Sequence, residues 1–223
     1  MVIAIDGPSG AGKGTVARAL AEALHFRHID TGAMYRAVAW LAVDRGLDLG
    51  QGAAVAELAR QSAFQLSTRV AVNGHDVTAA IRTPEMDAAA ATVARHPEVR
   101  QALVEVQRRM GQAESVVMEG RDIGTVVFPD ACVKVYLDAT PEERARRRAL
   151  DPAHAASKGG AAPEQVGQIA QALAARDQSD RTRPTSPLTR ADDAVYIDTT
   201  GLPIEAVVST VLDLARRRLE PGA

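Results

Sequence analysis

The chain opens on an unbroken apolar run, Val2-Ile3-Ala4-Ile5. A strand that is apolar on both faces belongs inside a parallel sheet. Beyond a glycine-rich segment, Gly7 to Gly14, the apolar positions change period. Val16, Leu20 and Leu24 fall at i, i+4 and i+8, which predicts a helix to about His25. A short segment, His28-Ile29-Asp30, leads through Thr31-Gly32 into a second helix from about Ala33 to Asp44. Gly46 to Gly52 reads as a loop and Ala53 to Gln61 as a helix. Phe64-Gln65-Leu66 and Val70-Ala71-Val72 are short strand patterns, and Asn73-Gly74 is a strong hairpin signal. This patch predicts a small antiparallel insertion.

Thr83-Pro84 announces a helix, with Thr83 as N-cap and Pro84 at the first helical position. Pro97 starts another, turning Val99, Leu103, Val106 and Met110 inward. Val116 to Met118 and Val133 to Leu137 are core strand patterns. Thr140-Pro141-Glu142-Glu143 is a capping box that opens a helix. Asp151 to Ala162, rich in Ala, Gly, Ser and Pro, is expected to be mobile. An Ala-rich helix runs from about Pro163 to Arg176 and beyond. Val195-Tyr196-Ile197 is a last strand, and Pro203 to about Leu219 a closing helix. Strands alternating with helices predict an α/β fold, a parallel sheet with helices on both faces. No internal repeat or interdomain linker interrupts it.

At 223 residues the chain suits one α/β domain. Aromatic residues are 3% of it, so Ala, Val and Leu must fill the core. The net charge of −2 argues against nucleic acid or an anionic membrane as a main partner. The single cysteine, Cys132, excludes an intrachain disulfide and is expected to be a small buried hydrophobe. The five histidines show no metal-ligand spacing. No leader pattern and no apolar run of about 20 residues is present, so a cytoplasmic location is expected.

The strongest chemical signal is Gly7-Pro8-Ser9-Gly10-Ala11-Gly12-Lys13-Gly14-Thr15. It follows a strand and opens a helix, the setting of a phosphate-binding P-loop. Glycines let the backbone turn its N–H groups inward, the helix N-terminus adds partial positive charge, and Lys13 can bridge β- and γ-phosphates. The residue after the lysine is Gly14 rather than Ser or Thr, so the hydroxyl that would meet Mg²⁺ is open. Asp30-Thr31-Gly32 matches the aspartic protease triplet, but one copy in an α/β pattern cannot make a paired carboxylate site. It reads either as a helix cap or, with Arg36, as part of a second substrate site.

Glu119-Gly120-Arg121-Asp122-Ile123-Gly124-Thr125 leaves the end of an apolar strand, where open α/β sheets bind ligands. Arg144, Arg146, Arg147 and Arg148 crowd one helix. They form either a solvated face or a lid that closes cations over transferring phosphates. Arg176, Asp180 and Arg183 share a helical face, as salt-bridge partners, substrate contacts, or both.

Taken together, the P-loop, Asp30-Thr31-Gly32-Ala33-Met34-Tyr35-Arg36, Ile81-Arg82-Thr83-Pro84-Glu85, the tract from Gly120 to Ala131 and the run from Asp177 to Arg183 resemble bacterial cytidylate kinases, in order and over nearly the whole chain. The P-loop alone fits many kinases; the Gly120–Ala131 tract is far more specific. The resemblance implies a P-loop fold, ATP and Mg²⁺ as cofactors, and CMP or dCMP as acceptor. It implies a monomer with a core (about 1–32, 96–140 and 163–223), a nucleoside-monophosphate-binding insertion (about 33–95) and a lid (about 141–162). Arg36 and Arg121 would hold the CMP phosphate. Arg100, Asp122 and Arg183 would read cytosine, and Arg176 and Asp180 would contact the ribose. Lid arginines Arg144, Arg147 and Arg148 would close over the transfer. Family members often carry Ser where this chain has Ala91, with Thr92 adjacent. One lost hydrogen bond would cost about 1 kcal/mol of base recognition.

An acceptor that is itself a phosphate dianion needs no general base, so catalysis reduces to positioning and charge neutralisation. Two rival readings are another small-molecule P-loop kinase, such as an adenylate or shikimate kinase, and a GTP-binding switch. The Gly120–Ala131 tract opposes the first. The missing Asn-Lys-x-Asp motif opposes the second.

Overall fold

The computed structural model describes residues 1–151 and 163–219. The stretch expected to be mobile lies, but for Asp151, outside these residues. Five parallel strands form the central sheet in the order β2 (Arg27–Asp30), β6 (Val116–Gly120), β1 (Val2–Asp6), β7 (Val133–Asp138) and β8 (Val195–Asp198). β1 is central because it is apolar on both faces. Ile3 and Ile5 point into one layer with α1 (Lys13–Leu24) and α8 (Ile204–Leu219). Ala4 points into the other, with α2 (Thr31–Asp44), α3 (Gly52–Arg60), α4 (Pro84–Val93) and α5 (Pro97–Ala113). All three side chains are fully buried.

A separate antiparallel sheet carries β3 (Phe64–Leu66), β4 (Val70–Val72) and β5 (His75–Asp76). Asn73 and Gly74 turn between β4 and β5 with φ of 51° and 82°, the positive pair that a tight hairpin requires. The hairpin signal thus marks a third strand beyond the two expected.

α6 (Pro141–Leu150) and α7 (Pro163–Thr182) complete the helices of the described residues, and α7 extends far enough to carry both Arg176 and Asp180. The expected caps are present at one end. Thr83 accepts from Met86 N at 3.3 Å and Thr140 from Glu143 N at 3.3 Å. The reciprocal half of the capping box is absent. Glu143 turns to Arg146 and Arg147, both at 2.8 Å, while Thr140 N donates to Thr200. Two stronger cationic partners outcompete one neutral N–H.

Three further features depart from expectation. α2 begins at Thr31 rather than about Ala33, with the cap supplied, as one reading of Asp30-Thr31-Gly32 expected, by Asp30 accepting from Ala33 N at 3.0 Å. The Gly120–Ala131 tract contains a π-helical turn, Ile123–Val127. Cys132 is half-buried rather than buried, its thiol donating to Val2 O at 3.0 Å, since it precedes the strand instead of sitting within it.

Candidate active site

The carboxyl ends of β1, β2 and β6, with Thr199 just beyond β8, open into one cleft of about 740 Å³. The P-loop forms its floor. Gly7 must be glycine: its φ is 145°, and a Cβ there would stand 1.9 Å from Leu137 O. Gly12 N-caps α1 in the left-handed region, φ 87°. Gly7 and Pro8, expected in the nucleotide contact set, do not line the cleft. Ser9, Gly10, Ala11, Gly12, Lys13, Gly14 and Thr15 line it. Lys13 is 6% exposed and donates to Pro8 O at 2.7 Å. Burial, reinforced by the Arg121 guanidinium, drops its pKa to about 7.

A basic wall faces the loop. Arg36 donates to Asp30 at 3.0 Å, and its buried Nε has no hydrogen-bond partner. Arg121 donates to Asp180 at 3.0 Å. Arg176 approaches Asp87 at 3.2 Å, and Arg36 and Arg148 approach the same carboxylate at 3.7 Å. One acid of α4 therefore gathers guanidiniums from α2, α6 and α7. Nothing in the local pattern around Asp87 announced that role.

Deeper in the cleft, Arg100 and Asp122 pair at 2.5 Å. Arg183 adds bonds to Asp180 at 3.0 Å and Ser186 O at 2.6 Å, with its NH2 3.9 Å from Asp122. Burial alone would push the Asp180 carboxyl up; Arg121 and Arg183 instead hold it below the usual range. Arg100 also stacks over Tyr35, 5.4 Å from the ring centre, and the Tyr35 hydroxyl is buried without a partner. Thr31 is buried and donates to Glu119 O at 2.7 Å. Ala91 lines the cleft. Thr92 does not line it; its hydroxyl donates back to Ala88 O at 3.2 Å and cannot replace a serine at 91.

The α6 arginines divide. Arg147 and Arg148 line the cleft. Arg147 donates to Thr199 Oγ1 at 2.9 Å and Thr199 O at 2.7 Å, and Arg148 to Ser9 Oγ at 2.8 Å. Arg144, expected beside them in the lid, does not line the cleft. It is buried beneath the P-loop, where it donates to Ser9 O and Ala139 O and pairs with Asp177 of α7.

Glu119 opens the charged tract expected to meet a ligand; Asp6 had no expected role. Glu119 Oε1 stands 3.2 Å from where a Gly14 Cβ would be and 2.9 Å from His28 Nε2. A carboxylate against the P-loop, with Thr15 also on the cleft wall, is an all-oxygen set that suits a hard cation sharing phosphate oxygens and water. Among the described residues no cluster of three or more His, Cys, Asp or Glu could hold a metal unaided. No described helix is long and apolar enough to cross a membrane.

Comparison with known proteins agrees with this geometry. The family model described as Cytidylate kinase matches residues 3–217. The chain is 48% identical to a cytidylate kinase of Solibacter usitatus, over 100% of this chain and 95% of that one. It is 47% identical to a cytidylate kinase of Shouchella clausii, over 96% and 95%. A bifunctional pantoate ligase/cytidylate kinase of a Synechococcus strain is 48% identical over 98% of this chain, which spans 44% of that protein. A solved, uncharacterized protein from Eubacterium ventriosum shares the fold, with TM-score 0.55 at 9% identity over 97% and 99% of the two chains. The family-model match over residues 3–217 and a relative 48% identical over the full chain place this chain in the cytidylate kinase family.

Proposed function

We propose that the protein transfers the γ-phosphoryl group of ATP to CMP or dCMP, giving ADP and CDP or dCDP. The observation that carries this reading is that Lys13 and the arginines Arg36, Arg121, Arg148 and Arg176 converge on one cleft. Two polyanions repel, and such a cleft brings them together. The P-loop amides and Lys13 hold the triphosphate. Arg36 and Arg121 hold the acceptor phosphate, whose second pKa of about 6 leaves it dianionic near neutrality. An acceptor oxygen forms the new P–O bond as the β–γ bridge breaks, and ADP leaves with the bonding pair. No proton need move. Developing charge on the transferred group is met by Lys13, Arg147 and Arg148.

Arg100, Asp122 and Arg183 form a rigid polar plate for the cytosine edge, and Arg176 and Asp180 stand at the sugar. Glu119 and Thr15 would hold Mg²⁺ against the triphosphate. When bound, the ion neutralises β- and γ-phosphate charge. Residues 33–95 act as the acceptor-binding insertion and 141–162 as the lid on a single core. The chain works as a cytoplasmic monomer with no nucleic-acid or membrane partner.

A coupled ADP-release assay across nucleoside monophosphates tests the reading. Best turnover is expected with CMP and dCMP. Ala91, which offers no hydroxyl to the base, predicts measurable leakage to UMP. Best turnover with AMP or shikimate would end the proposal.

A further inference from the structure

Ser9 is held at all three of its polar groups by side chains from outside the P-loop. Its N–H donates to Asp177 Oδ1 at 3.3 Å. Its carbonyl accepts from Arg144 NH1 at 3.0 Å. Its hydroxyl accepts from Arg148 NH2 at 2.8 Å. Arg144 and Asp177 are themselves ion-paired, at 6% and 3% exposure. Arg144 Nε also donates to Ala139 O at 3.2 Å, tying the pair to the end of β7. The contact continues to the next residue, where a Cβ on Gly10 would stand 2.9 Å from Arg144 Cβ. α6 and α7 thus rest directly on the loop.

We infer that Arg144 and Asp177 are positioning residues that set the shape of the donor-phosphate cradle by gripping Ser9. The inference rests on reading Gly7–Thr15 as that cradle. A Ser9 N–H committed to Asp177 is not a phosphate donor. Its outward turn fixes the peptide plane and leaves the amides from Gly10 onward to face the cleft. A flexible glycine-rich loop would otherwise lose part of its binding energy to ordering. Because Arg148 lines the cleft and also holds Ser9, the same grip ties the lid helix to the loop. Arg144 therefore acts through the loop and not on phosphate.

ATP binding without any acceptor, measured by calorimetry, isolates this role. Replacing both charges together, Arg144→Met with Asp177→Leu, leaves no orphaned buried ion, a change proteins often tolerate in stability. The double variant is expected to bind ATP roughly tenfold more weakly, about 1.4 kcal/mol, and CMP within about twofold of wild type. A merely structural role would weaken both ligands alike or neither, and either result overturns the inference. Should the double variant fail to fold, Asp177→Asn alone decides. It is expected to weaken ATP about threefold and leave CMP unchanged, and equal ATP affinity overturns the inference. A wild-type protein that binds no ATP overturns this inference and the proposed function together. One that binds ATP but does not phosphorylate CMP overturns only the function.

Discussion

In the proposed reaction Lys13 carries the charge nearest the transferred phosphate. Its ammonium is buried against Pro8 O, and burial with Arg121 nearby sets its pKa near 7. At pH 8 the free protein therefore holds Lys13 largely neutral. A bound triphosphate favours the charged form and pulls the pKa back up. ATP binding at pH 8 is expected to take up close to one proton, and clearly less at pH 6, where Lys13 is already charged. Calorimetry in buffers of different ionisation enthalpy reads this directly. Lys13→Met should abolish the uptake and lower turnover by at least roughly a hundredfold, with the fold retained.

Among elements, the π-helical turn Ile123–Val127 shows how far local sequence reaches. The charged start of the Gly120–Ala131 tract, leaving an apolar strand, is placed by sequence at the cleft, and Glu119 to Asp122 do line it. Its irregular winding was not legible, because the partner that stabilises it is remote in sequence. Asp6 ends β1, and its buried carboxylate accepts from Ile123 N at 2.8 Å and Gly124 N at 2.7 Å. That tether also orients Arg121 and Asp122 just upstream. Burial raises the Asp6 pKa to about 6. A raised carboxylate keeps its proton in the folded state after the unfolded chain has lost it. Its contribution is thus full below about pH 4 and is lost as pH rises through 6. Asp6→Asn is expected to flatten this slope in a plot of denaturation midpoint against pH. Asp6→Ala leaves two buried N–H groups unpaired and should cost about 3 kcal/mol, read by urea denaturation.

At the scale of the whole molecule the charge is uneven. The chain carries −2 overall. Yet among the described residues lining the cleft, eleven are Arg or Lys and seven are Asp or Glu. Most of these cations are interleaved with acids such as Asp30, Asp87 and Asp180, which limits mutual repulsion while keeping the field positive. The KM values for ATP and CMP should both rise several-fold, about threefold to tenfold, between 0.05 and 0.5 M KCl as screening tightens. Neutral nucleosides should show little change. A flat salt response for CMP would mean that the basic wall does not steer the acceptor.

Much was set by the chain on its own terms. The apolar β1, the Thr83 and Thr140 caps, the Asn73-Gly74 turn and the P-loop depend on neighbours within a few residues, and local sterics and hydrogen bonding act over that range. Residues separated by long stretches of chain were another matter. Arg144 lies under the P-loop and not on the cleft wall, Asp87 is the meeting point of Arg36, Arg148 and Arg176, and Asp6 reaches across to residues 123 and 124. A charged side chain's partner is chosen by which elements pack against it, so only the folded arrangement could decide these roles.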